Sequence, residues 1–125
     1  MYYSCGVRLK GKVAIITGGA SGIGEATARL FVKNRALVVI GDIQDDLGTH
    51  LANELGGHVA LYKHCDVTVE SDIEGLVTQA MTKWGNLEIM FSNAGIHPNV
   101  KGGVQNVDIT NFDNVMNVNL RGMVL

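Results

Sequence analysis

The chain has 125 residues, 46% of them apolar, with ten basic and twelve acidic side chains and a formal charge of −2. That length and apolar share suit one domain with a respectable core, the charge argues against a nucleic-acid binder, and the abundance of aliphatic residues excludes a disordered tract. Sixteen glycines, close to twice the usual share of about 7%, follow no period of three and so serve local structure rather than a collagen-like helix.

In chain order, Met1-Tyr2-Tyr3-Ser4-Cys5-Gly6-Val7-Arg8 has no basic stretch leading into an apolar one. No signal peptide is expected there, and residues 1–10 read as an extension ahead of a domain over 11–125. Val13-Ala14-Ile15-Ile16 is an unbroken apolar run ended by Thr17-Gly18-Gly19, and Leu37-Val38-Val39-Ile40 is a second, ended by Gly41-Asp42. Val59 to Tyr62 makes a weaker third and Leu87 to Phe91 a fourth. Runs apolar on both faces predict strands buried on both sides, as in a parallel sheet.

Helical stripes lie between them. Ile23, Ala26, Thr27, Leu30 and Phe31 follow the i, i+3, i+4 rule, and Leu47, Leu51 and Leu55 mark a shorter helix closed by Gly56-Gly57. Ile73, Leu76, Val77, Ala80, Met81 and Trp84 share one face of a third helix, with Thr68 or Asp66 as its N-cap and Gly85 just past its end. After a long irregular stretch from Ala94 to Asp108, Thr110 and Asp113 resemble a capping box. The stripe Phe112, Val115, Met116, Leu120 and Met123 then predicts helix to the last residue. The order βαβαβαβ plus the start of a helix predicts a Rossmann-like, doubly wound α/β parallel sheet, incomplete at its first four strands.

No apolar run approaches the roughly 18 residues of a membrane span. Cys5 and Cys65 lie far apart, and His50, His58, His64 and His97 form no pair at ligand spacing. Neither a disulfide framework nor a metal site is expected, and a reduced, cytoplasmic setting fits. His97 reads as a loop residue rather than a catalyst.

The turn Thr17-Gly18-Gly19-Ala20-Ser21-Gly22-Ile23-Gly24 joins the first strand to the first helix. Such a junction presents unpaired N–H groups and a positive helix end, a ready site for a diphosphate. Gly18 fits the tight turn, Gly22 the close approach of a ligand, and Gly24 the contact of helix with strand. The spacing is GxxxGxG rather than GxGxxG, so a purely structural turn stays open. Asp42 lies about twenty residues on, at a strand end where a carboxylate reads adenosine ribose hydroxyls. It would repel a 2′-phosphate, and neither Ser21 nor Ile43 supplies a cation to neutralise one, so NAD is favoured over NADP. A plain strand-end turn residue is the alternative for Asp42.

Taken together, this turn, Asp42, Asp66-Val67, Ser92-Asn93-Ala94-Gly95 and Val118-Asn119-Leu120 resemble the N-terminal half of a classical short-chain dehydrogenase/reductase. The stretch Arg8 to Gly19 is most similar to plant alcohol dehydrogenases of that family, the secoisolariciresinol dehydrogenase and momilactone A synthase kind. The resemblance implies NAD as cofactor and an alcohol or ketone as substrate. Ser21, Ile23 and Ile43 join Gly18, Gly22, Gly24 and Asp42 as cofactor contacts. Asp66 would bind the adenine amino group with Val67 against the ring. Asn93 would tie strands together, with Ala94 and Gly95 near the nicotinamide ribose. Asn119 would complete the catalytic tetrad by holding a water linked to its lysine. Without the family, Asp66 is a strand-end cap and Asn119 an ordinary polar residue beside Asn117. The family also suggests a homo-oligomer, joined through the helix that Phe112 begins and the next one, which these residues lack, so no oligomer is expected of this chain alone.

Three departures stand out. Ser92 replaces an Asn. Arg35-Ala36 replaces Gly-Ala after the first helix, where a left-handed residue other than glycine costs about 1 kcal/mol and is expected to reshape the loop. The family's Tyr-x-x-x-Lys is missing: Gly6, Val7 and Asp66 stand four residues after Tyr2, Tyr3 and Tyr62. The expectation is therefore the cofactor-binding part of a larger enzyme, with Leu87–Phe91 at an open sheet edge. Alone, it would be an inactive NAD-binding module or an interaction fragment.

Overall fold

In the computed structural model, which describes residues 8–98 and 104–125, strands and helices alternate. They are β1 (Val13–Thr17), α1 (Gly22–Lys33), β2 (Leu37–Asp42), α2 (Asp45–Leu55), β3 (Ala60–His64), α3 (Glu70–Trp84), β4 (Ile89–Phe91) and α4 (Ile109–Asn119). Residues 1–7 of the expected extension, with Cys5, and residues 99–103 of the irregular stretch lie outside the described residues. The strands are parallel in the order β3-β2-β1-β4, with Val13 opposite Leu37, Ile16 opposite Phe91 and Asp42 opposite His64. Strand order reverses at β1, so the crevice beyond the carboxyl ends of β1 and β4 is the switch point at which such sheets bind ligands.

The pleat distributes the core to both faces. Val13, Ile15 and Val39 pack with Leu76 and Ala80 of α3, while Ile16, Val38 and Ile40 pack with Ala28, Leu51 and Ala52 of α1 and α2. Each fully buried aliphatic side chain stabilises by roughly 1.5–3 kcal/mol. The layered sheet expected from the sequence is present.

Several local expectations are corrected. On α1 the buried residues are Gly24 and Ala28, with Phe31 and Val32 packed behind them, whereas Ile23 and Leu30 are exposed. The N-cap of α3 is Val69, with no side-chain bond, because Asp66 Oδ1 accepts the N–H and hydroxyl of its neighbour Thr68. The α4 cap is Asp108, whose carboxylate accepts the Thr110 N–H; Thr110 and Asp113 do not form the expected box. Strand β4 is shorter than Leu87–Phe91, since the Glu88 carboxylate accepts the Val13 N–H at 2.7 Å. Helix α4 stops at Asn119 and a 3-10 turn over Arg121–Met123 follows. That turn brings Gly122 against Val67, where an added Cβ would lie 2.8 Å from Val67 Cγ2.

Arg35 adopts the left-handed conformation, φ 68°. Ala36 N–H donates to Phe31 O (3.0 Å) and Arg35 N–H to Val32 O (2.9 Å), the bond pair of a Schellman helix end. Two backbone bonds outweigh the steric penalty of about 1 kcal/mol at one residue.

Candidate cofactor-binding site

Three chain segments converge at the crevice. The first is the glycine turn. Gly18 turns with φ 62°, and a Cβ there would lie 2.8 Å from Ala94 Cα across the crevice. Ser21, extended at φ −151°, caps α1 without a side-chain bond, and Gly22 follows at φ 56° with open space where its Cβ would stand. The start of α1 therefore carries no side chain at Gly22, where an anion at the helix end would need room. Glu25, the acid of that first turn, is paired with Arg29 at 2.9 Å, which offsets its charge. Gly24 does not face the cavity. A Cβ on it would stand 2.1 Å from Gly18 O and 2.7 Å from Asn93 Nδ2, so its role is the seating of helix on turn.

The second segment ends β2. Asp42 is only 6% exposed, and its Oδ2 accepts the Ala20 N–H at 3.0 Å. Oδ1 accepts the Gln44 N–H at 3.0 Å and its side-chain amide at 3.3 Å, and the same amide reaches Ser21 Oγ at 3.2 Å. The carboxylate thus ties β2 to the glycine turn besides lining the cavity. Sequence reasoning gave Gln44 no part in this network, because a glutamine two residues past a strand has no distinctive pattern.

The third segment follows β4. Asn93 Nδ2 donates to Thr17 O (3.0 Å) and Gly18 O (3.1 Å), and Thr17 Oγ1 accepts the N–H groups of Asn93 (3.1 Å) and Ala94 (3.2 Å). Thr17, 2% exposed, was missed as a site residue; the only signal was a hydroxyl closing an apolar strand. Asn119 Oδ1 accepts the Ile96 N–H at 2.7 Å and its Nδ2 donates to Ile96 O at 2.8 Å. Gly95 makes room for this clamp, since a Cβ there would meet Asn119 Oδ1 at 3.3 Å. The Asn119 amide thus clamps the backbone of Ile96.

Gly18, Ser21, Gly22, Ile23, Asp42, Ile43, Val67, Asn93, Ala94, Gly95 and Asn119 line one cavity of about 610 Å³, within the roughly 300–1,000 Å³ usual for small-molecule and cofactor sites. Gln44, Cys65, Ile96, His97 and Val118 line it as well. Gly24 and Asp66 lie outside the lining. The Thr68 N–H and hydroxyl hold the Asp66 carboxyl below the ordinary aspartate value. Burial is the first cause that pushes the Cys65 thiol up to about 11, followed by Asp72, Asp66 and Asp42. Among the described residues no three His, Cys, Asp or Glu side chains are grouped to hold a metal ion, and no helix is long and apolar enough to cross a membrane. Chemically, the cavity combines an anion-binding helix end, a buried carboxylate and apolar walls.

A profile of the short chain dehydrogenase family matches residues 12–125. Tropinone reductase-like 1 of Erythroxylum coca is 53% identical over 123 residues, covering 94% of this chain and 44% of the relative. Momilactone A synthase of Oryza sativa subsp. japonica is 49% identical over 118 residues, with 94% and 43% covered. Among solved structures, 3-ketoacyl-(acyl-carrier-protein) reductase from Brucella melitensis, complexed with NADH, superposes with a TM-score of 0.87 at 38% identity. That match covers 94% of this chain and 48% of the reductase. The chain thus spans less than half the length of these relatives.

Proposed function

The chain belongs to the short-chain dehydrogenase family, and on that premise we propose that it holds NAD(H) for an enzyme interconverting a secondary alcohol and a ketone. One observation carries the reading: the open helix end at Ser21–Gly22 and the buried Asp42 carboxylate line a single cavity at the sheet's switch point. The bound cofactor would supply or accept a hydride. The N–H groups after Ser21 would hold its diphosphate, and Asp42 would accept the adenosine ribose hydroxyls. Ile23, Ile43 and Val67 would flank the adenine, with Asp66 toward its amino group. Asn93, Ala94 and Gly95 would lie along the nicotinamide ribose, while Asn119 fixes Ile96 beside it. The NADH held by the Brucella reductase supports the cofactor class. The preference for NAD over NADP rests on Asp42 and on the lack of a cation at Ser21 or Ile43.

Proton transfer to the substrate oxygen needs a positioned acid or base. The 125 residues contain no Tyr-x-x-x-Lys, which favours a second reading for the chain as it stands: it binds the cofactor without turnover. A catalytic pair would have to come from residues outside these 125. Self-association of the full-length form through α4, which exposes Ile109, Phe112 and Met116, together with a following helix, and a cytoplasmic location belong to the same proposal.

Calorimetric titration with NAD and NADP tests it. One NAD per chain is expected, with NAD about tenfold tighter, a difference of about 1.4 kcal/mol. Equal affinities would refute the role given to Asp42, and no NAD binding would refute the whole reading.

A further inference from the structure

Behind Asp42, on the side away from the cavity, three polar side chains meet. Tyr62 and His64 stand two residues apart on β3 and so share a face of the sheet, toward the first residue of α2, Asp45. Tyr62 Oη lies 2.7 Å from the backbone carbonyl of Asp42 and also within hydrogen-bond reach of Asp45 Oδ1. His64 Nδ1 lies 2.7 Å from that same Oδ1. The Asp42 carbonyl accepts the Cys65 N–H at 3.0 Å as well, so both of its lone pairs have donors. Gly48 of α2 admits the phenol ring; a Cβ there would stand 2.1 Å from Tyr62 Cε2.

We infer that Tyr62, Asp45 and His64 form a positioning relay that sets how firmly Asp42 is presented to NAD, and that His64 protonation tunes it. The inference rests on the cofactor reading above. A phenol has one proton, and here two acceptors compete for it. With His64 protonated, its N–H and charge satisfy Asp45, leaving the Tyr62 proton to the Asp42 carbonyl. When His64 loses its proton, the more strongly charged Asp45 draws the phenol proton toward itself. The Asp42 backbone is then held by Cys65 alone.

The charges around His64 favour its protonated form. Asp45 of α2 pairs with it, and Asp66 beyond β3 and Asp72 of α3 act at longer range. Asp42 and Cys65 act on the phenol through their charge at longer range, Cys65 and Lys63 lying on the α3 side of β3, Lys63 against Gly75. These partners, the Asp45 hydrogen bond first, hold the His64 imidazolium above its ordinary value. NAD affinity should accordingly fall as pH rises through a titration lying above about 6.5. The His64–Asp45 pair is half-exposed, so the change is modest: about threefold, the scale of one hydrogen bond. By linkage, NAD should raise the His64 pKa by about half a unit.

The experiment combines NAD titrations from pH 6 to 9 with NMR titration of the His64 imidazole, with and without NAD. Wild type should weaken about threefold across the His64 transition. Tyr62→Phe should weaken binding at pH 6 and flatten the profile, and His64→Gln should flatten it with the phenol intact; urea unfolding checks that each variant folds. If Tyr62→Phe keeps the wild-type profile, or NAD leaves the His64 titration unmoved, the relay is overturned while the cofactor reading stands. If wild type binds no NAD at any pH, the cofactor reading falls and takes the relay with it.

Discussion

Replacing Asp42 by Asn takes away one of the two oxygens that anchor the end of β2, one to the glycine turn and one to Gln44. In the native chain Oδ2 accepts the buried Ala20 N–H and Oδ1 accepts the Gln44 N–H, both at 3.0 Å. An asparagine offers one oxygen and turns an NH₂ group toward the other donor. Whichever way the amide lies, one backbone N–H faces a donor and loses its acceptor. Hydrogen bonds to charged groups contribute about 1.5–3 kcal/mol, and stranding a buried donor costs about 1–3 kcal/mol, so a loss of about 2 kcal/mol is expected. With a urea slope of about 1.5 kcal/mol per molar for a chain this small, the unfolding midpoint should fall by about 1.3 M with an unchanged slope. Cofactor titration on the same variant should show NAD weakened about tenfold and NADP hardly affected, because the repulsion of a 2′-phosphate has gone. An unchanged midpoint would refute the structural half of this reasoning; an unchanged NAD-to-NADP ratio would refute the functional half.

Gly24→Ala should abolish measurable NAD binding and destabilise by about 1–3 kcal/mol, since its Cβ would stand 2.1 Å from Gly18 O. Gly57→Ala is the control: it meets nothing within 4 Å, and calorimetry and urea unfolding should find it neutral or stabilised by a few tenths of a kcal/mol. Arg35→Gly should stabilise by about 1 kcal/mol in urea unfolding, because the residue sits at φ 68° with its backbone bonds already made. Cys65 is 3% exposed with its thiol pushed up to about 11, so its alkylation at pH 8, read by peptide mass spectrometry, should be slow in the native chain and fast in urea.

The sheet was legible because its signal is regional. Four apolar runs separated by helical stripes admit few topologies once crossovers are right-handed, and the glycine turn names its own place between β1 and α1. What was not legible depends on contacts between residues distant in sequence. The α3 cap moved because Asp66 spent its oxygen on Thr68, and α4 ended early where Gly122 settles against Val67. The buried face of α1 is rotated from the aliphatic stripe because the helix approaches the sheet closely through Gly24 and Ala28. In the site, the glycines, Asp42 and Asn93 could be named from pattern and family. Thr17, Gln44 and Tyr62 could not, since their importance lies in register: the opposition of Asp42 and His64 is what brings the Tyr62 hydroxyl beneath the Asp42 carbonyl.

Backbone amide shifts followed by NMR as NAD is added test the central claim most directly. Saturable changes are expected at Gly18–Gly24, Asp42–Gln44, Asp66–Val67 and Asn93–Ile96, with the outer faces of α2 and α3 unmoved. Changes scattered over those faces, or none at millimolar NAD, would contradict it.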